Sequence, residues 1–180
     1  MLAPMELLNR LQQYDRQLFA RIFRQGERRM VIPLARAWSR SGDGYLHLLI
    51  PLLLWQLDLP RSGEFATLLL LTLGLERTLY WSIKNSLKRP RPQQAVPGLR
   101  SLIVASDQFS FPSGHSSGAF VLATALLLVY GGPVLVIYLW AAGVALSRVL
   151  LGVHFPGDIL AGALMGSSIT LLGASQLGMI

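Results

Sequence analysis

At 180 residues, 52% hydrophobic, 14% charged and with a net charge of +7, the chain is sized for one domain. Its charged fraction is well below the roughly 25% of a soluble globular domain, so a bilayer-embedded bundle is expected. The lack of cysteine excludes disulfides, thiolate metal sites and cysteine nucleophiles. The positive charge favours anionic lipid headgroups and phosphate esters as partners, and nucleic acid is not expected in so apolar a chain.

The N-terminal part, residues 1–42, reads as a basic interfacial segment, and residues 43–180 as a transmembrane catalytic domain. Within the first part, residues 5–24 form an amphipathic pattern. Leu8, Leu11, Tyr14, Leu18 and Ile22 make an apolar stripe, flanked by Arg10, Arg16, Arg21 and Arg24. A second basic amphipathic piece covers residues 28–40. Charges recur too often for either to cross a bilayer, so the first is expected at the interface, and the second either there or packed on the domain as an ordinary helix. No continuous apolar core marks a cleavable signal peptide. Residues 41–44, Ser-Gly-Asp-Gly, break the chain and can cap the next helix.

Five apolar segments come next, at about 45–59, 65–83, 113–130, 133–151 and 157–177. A helix needs ~20 residues to cross the hydrocarbon core, which the last four approach. The first is short and holds His47, Pro51 and Asp58. The fold expected is all-α, a polytopic membrane helix bundle of about five to six transmembrane helices preceded by interfacial helices. Turns at 59–62 and 131–133 imply antiparallel neighbours. The stretch 84–112 is too long, basic and Pro-rich to be a mere connector. Glu76 and Arg77, deep in the second span, are expected to be structural, Glu76 pairing with a cation on another helix. His47 is assigned to the same structural class.

Three clusters carry chemistry. The first places Lys84 seven residues before Arg91-Pro92. The second is Phe111-Pro112-Ser113-Gly114-His115, opening the third span. The third, from Ser147-Arg148 through Gly152 and His154 to Asp158, joins the fourth span to the fifth. Alternating spans bring all three to one membrane face. Lys84, Arg91 and Arg148 suit the spread charge of a transferring phosphoryl group, and arginine adds a forked donor geometry. Ser113 and Gly114 precede a helix whose free N–H groups favour an anion. His154 and Asp158 are spaced so that the carboxylate orients one ring nitrogen and the other attacks. His115 is the candidate to protonate the leaving oxygen and then activate water.

These residues resemble the type 2 phosphatidic acid phosphatase superfamily, membrane lipid phosphatases that share a pocket with the vanadium haloperoxidases. Its pattern is Lys, six residues, Arg-Pro; then Pro-Ser-Gly-His; then Ser-Arg, three residues, Gly, one residue, His, three residues, Asp. Every fixed position is matched between Lys84 and Asp158. The resemblance implies His154 as the nucleophile of a phosphohistidine, held by Asp158. It implies His115 as general acid, and Lys84, Arg91, Ser113, Gly114 and Arg148 as phosphate ligands, with no metal and no organic cofactor. It also implies a multi-pass protein of a bacterial-type inner (plasma) membrane, its site on the outer (periplasmic) face, although the positive-inside rule applied to the N-terminal arginines favours the cytoplasm. The expected substrates are phospholipids or polyprenyl phosphates: undecaprenyl diphosphate, phosphatidylglycerol phosphate or phosphatidic acid. A phosphotransferase using the same phosphohistidine and a non-catalytic lipid-binding or flipping protein are the alternatives. No residue pattern speaks to the oligomeric state.

Overall fold

The computed structural model describes residues 4–180, with side chains for residues 6, 7 and 9–180. The described residues form helices and no strand. In order they are α1 (Pro4–Gly26), α2 (Val31–Ser41), α3 (Tyr45–Gln56), α4 (Ser62–Leu87), the one-turn α5 (Pro92–Ala95) and α6 (Gly114–Tyr130). A 3-10 turn (Gly132–Val136) then runs into α7 (Ile137–Leu150), followed by α8 (Pro156–Gln176).

Each of the five apolar segments forms a helix, but they differ as membrane-crossing elements. By length and composition two qualify, Gly132–Leu150 and Pro156–Gln176. The 17 residues of α6 rise about 25 Å, short of a ~30 Å hydrocarbon core, and the 12 of α3 rise about 18 Å. The 26 residues of α4 are long enough but carry Glu64, Glu76, Arg77 and Lys84. Large apolar side chains nevertheless face outward all round the bundle: Leu48 and Leu52 on α3, Leu70 on α4, Leu139 on α7, Leu164 and Leu172 on α8. A water-soluble protein rarely leaves so much of its helix surface apolar.

The core is centred on α6, which packs against α4, α7 and α8. Phe65, Leu68, Leu69, Val121, Leu122 and Ala174 fill it. Small residues allow α6 and α8 to approach closely: a Cβ added at Gly166 would collide with the Ser117 carbonyl, and one at Gly162 would meet Ser113 and Ser116. Gly162 therefore lies opposite Ser113–Ser116 and Gly166 further along, so the two helices run parallel. Their N-termini share one end of the bundle, joined by the Ser113 N–H donating to the Asp158 carbonyl (3.0 Å). The C-termini of α4 and α7 arrive at the same end.

Of the apolar stripe expected on α1, Ile22 is half-buried against Phe19 and Phe23, while the described residues ahead of it turn outward. Leu11, Tyr14 and Leu18 are exposed, and Leu8 lies outside the described side chains. The helix packs instead through Phe19 and Phe23, which meet Val149 and Phe155. Phe19 and Phe23 make a second apolar face of the helix, and that is the face packed against the bundle.

Candidate active site

The Lys84–Arg91 end of the site is organised by a carboxylate outside the three motifs. Lys84 is 1% exposed, and its Nζ donates to Tyr80 Oη (2.6 Å) and Asp107 Oδ1 (2.8 Å). Arg91 donates to the same Oδ1 (2.5 Å), to the Asp107 carbonyl (3.0 Å) and to the Val153 carbonyl (2.6 Å). Tyr80 Oη completes the cluster by donating to Asp107 Oδ2 (2.6 Å). Burial alone would raise the Asp107 pKa; the hydrogen bonds from Lys84 and Tyr80 and the nearby cations outweigh it and bring it down to about 2. Asp107 is thus a fixed anion between two cations.

His154 lies in the α7–α8 connection and is 2% exposed. The turn that carries it depends on Gly152, whose φ of +78° is strained for any L side chain. A Cβ there would also run into the Phe23 ring of α1. Nε2 of His154 is 3.4 Å from the Arg91 guanidinium. Nδ1 faces Asp158 Oδ2 at 3.6 Å, beyond a hydrogen bond, and has no other partner among the described residues. The pairing anticipated from sequence is therefore an approach between facing groups. Burial lowers the His154 pKa to about 4 against the pull of Asp158, with Arg91 and Arg148 acting in the same downward sense. The ring is neutral at neutral pH, its lone pair available.

Asp158 is fully buried at the start of α8, where Pro156 sets the first turn. Its Oδ2 accepts from the Phe155 N–H (2.7 Å), while Oδ1 accepts from Arg89 (2.6 Å). Arg89 in turn donates to Asp15 of α1 (2.6 Å), and Asp15 also accepts from the Gly157 N–H (2.7 Å). Ser113 caps α6, accepting from the Ser116 N–H (3.4 Å). A Cβ on Gly114 would come within 2.9 Å of the Tyr80 ring, so the missing side chain makes room for that tyrosine.

His115 and Arg148 meet in a cavity of about 390 Å³ also lined by Arg36, Arg40, Asp43 and Ser106. His115 Nε2 is 2.7 Å from Asp43 Oδ1. Arg148, 4% exposed, donates to Ser39 Oγ, and its Nε has no partner among the described residues. A larger groove of about 770 Å³ between α1 and the start of α8 is lined by Leu11, Tyr14, Leu18 and Leu160, with Asp15 and Arg89 also on its wall. It does not include His115 or Arg148, and its lining gives no reacting group.

All the residues expected at the site thus cluster at one end of the bundle. Glu76, Arg77 and His47 stand apart from it. Glu76 pairs with its own neighbour Arg77 (2.5 Å), where a cation from another helix was expected; its contact across to α6 is Ser117. His47 donates to the Gly118 carbonyl (2.9 Å), tying α3 to α6. Sequence reading missed Tyr80, Arg89, Asp107, Asp15, Ser39 and Asp43. Of these Arg89 had a signal, its place in the Arg-Pro-Arg-Pro run, and Asp43 a weaker one in the Ser-Gly-Asp-Gly break.

The sequence matches the family model described as the PAP2 superfamily over residues 65–179. It is similar to decaprenylphosphoryl-5-phosphoribose phosphatase of Mycobacterium tuberculosis, 29% identical over 139 residues, 77% of this chain and 76% of that protein. Phosphatidylglycerophosphatase B of Bacillus subtilis is 37% identical over 110 residues, 55% of this chain and 51% of its own. Among solved structures, Aquifex aeolicus LpxE gives a TM-score of 0.75 at 27% identity, over 88% of this chain and 93% of that one. The matched residues contain all three motifs within a helical fold shared with LpxE, and the chain belongs to the PAP2 superfamily, as a membrane protein of the lipid phosphatase type.

Proposed function

We propose that the protein is a multi-pass membrane phosphatase that hydrolyses lipid phosphates or diphosphates through a phosphohistidine on His154. One observation carries this reading: a neutral, buried His154 stands between a cation–carboxylate cluster (Lys84, Arg91, Asp107) and a buried carboxylate, Asp158. His154 Nε2 attacks phosphorus while Asp158 stabilises the charge that develops on the ring through Nδ1–H. The bond to the leaving oxygen breaks, and His115 supplies that oxygen with a proton. His115 then takes a proton from water, whose oxygen attacks the phosphohistidine and releases inorganic phosphate. Lys84, Arg91, Arg148 and the Ser113–Gly114 start of α6 hold the phosphoryl oxygens, doing with protein cations what a metal ion does elsewhere.

The named relatives act on decaprenylphosphoryl-5-phosphoribose and phosphatidylglycerophosphate, and we place this chain's substrate in the same broad class of phospholipid or polyprenyl phosphates. Helices α3, α4, α6, α7 and α8 form the membrane bundle, α1 and α2 lie at its surface, and the site opens on the outer face of the inner membrane. The test is phosphate release in detergent from undecaprenyl diphosphate, phosphatidylglycerol phosphate and phosphatidic acid. His154→Ala is expected to lose activity by on the order of 10⁴-fold or more while still folding. Near-normal turnover in that variant would sink the mechanism.

A further inference from the structure

We infer that Arg36 and Arg40 of α2 form a second anion subsite on the leaving-group side of the centre. Its ligand is a phosphate within the substrate's own headgroup, adjoining the phosphoryl group that is transferred. This rests on the phosphatase reading above and adds to it the class of lipid preferred.

The two arginines line the same cavity as His115 and Arg148. If His115 protonates the leaving oxygen, whatever is attached to that oxygen lies in this cavity. Three guanidinium groups face it against one carboxylate, Asp43, and that carboxylate is held by His115 at 2.7 Å. Arg36 is anchored at the rim by one bond to the Leu102 carbonyl (2.9 Å), leaving its other N–H groups without protein partners among the described residues. The Arg40 guanidinium makes no hydrogen bond to the protein among them. Lys84 and Arg91 are different: both are engaged by Asp107 beside His154.

The transferring phosphoryl group already has Lys84, Arg91 and Arg148, so two further arginines are surplus to it. They match negative charge carried by the leaving group. A plain lipid phosphomonoester would bring an uncharged diacylglycerol into the cavity. A headgroup with a second phosphate would bring an anion against both guanidinium groups. Helix α2 lies outside the matched residues 65–179, so Arg36 and Arg40 are not part of the three motifs.

The test compares phosphatidylglycerol phosphate with phosphatidic acid of identical acyl chains in neutral detergent. The first has a phosphodiester on the leaving side and the second has none. In Arg36→Gln, Arg40→Gln and the double variant, the ratio of kcat/KM for the two lipids is read. It is expected to fall about tenfold or more in the double variant, mostly through KM. A ratio within about twofold of the unaltered protein would overturn the inference. The unaltered protein provides a check free of folding effects: methylenediphosphonate should inhibit about tenfold more tightly than methylphosphonate, and equal inhibition would count against the subsite. Phosphatidylcholine vesicles with and without phosphatidylglycerol separate the other source of anions. Equal losses on both substrates, confined to the anionic vesicles, would mean that the arginines hold the bilayer, and the subsite would be abandoned. Failure of the underlying reading looks different: neither lipid is hydrolysed, or His154→Ala retains turnover.

Discussion

The region matched by the family, residues 65–179, and the helices α1 and α2 ahead of it divide the work unequally. The matched region supplies every group proposed to touch the phosphoryl group. The N-terminal helices and the turn after them supply partners. Asp158 is reached through Arg89 and Asp15, Arg148 donates to Ser39, and His115 bonds to Asp43. Three of the proposed site residues therefore lean on a segment that carries no motif. A reacting group needs both identity and a fixed orientation, and here the two come from different stretches of chain.

The largest effect expected from breaking this arrangement is at Arg89. It bridges α1 to a fully buried Asp158, so Arg89→Ala leaves that carboxylate without its cation. Removing one member of a buried pair costs about 3–5 kcal/mol, and the variant should lose roughly that much resistance to unfolding in detergent together with most of its kcat. Asp15→Asn should lose less, because an amide oxygen can still accept from the Gly157 N–H. Equal losses in the two variants would show that α1 does more than steady Arg89.

Asp43→Asn sharpens the comparison on the leaving-group side. The carboxylate orients the His115 ring through a contact of 2.7 Å. Hydrolysis of an alkyl phosphate, with its poor leaving group, should fall about tenfold to a hundredfold. An activated aryl phosphate, which needs little proton donation, should be affected far less. A uniform loss across both would reduce Asp43 to a packing role.

A smaller effect is expected from pH. His154 has its pKa lowered by burial from 6.5 to about 4, so the unfolded chain binds the extra proton first as pH falls. Its contribution is whole above pH 6.5 and declines as pH falls towards about 4. Asp107, lowered from 3.8 to about 2, adds a second loss in that lower window. Thermal unfolding in detergent should reveal both limbs, and His154→Ala should make the upper one shallower while leaving the lower one in place. An unchanged upper limb would assign the loss to another group.

The least effect on chemistry is expected from Leu11→Ser with Leu18→Ser on the outward face of α1. Partition into vesicles should weaken while activity in detergent stays close to that of the unaltered protein. A large loss of detergent activity would mean that this face packs within the protein.

Much of the site was legible in the chain because its chemistry is local. Ser113–Gly114–His115 sit at a helix start, and His154 and Asp158 are separated by one turn begun by Pro156. Fixed spacing on a helix or tight turn is readable from residue types alone. The five apolar segments were legible for the same reason, since length and apolarity are properties of a single stretch. Their packing was not: the approach of α6 to α8 rests on Gly162 and Gly166, whose significance depends on which helix lies opposite. Nor was the cluster around Asp107, which is 16 residues from Arg91 and 23 from Lys84 and meets them through a loop without periodicity. Asp15 is further still, 74 residues from Arg89. The sequence by itself determined which groups are present and which neighbours share a turn. Tertiary structure alone decided which carboxylate faces which cation, because such pairing depends on distances of a few ångströms between segments that the order of residues does not relate.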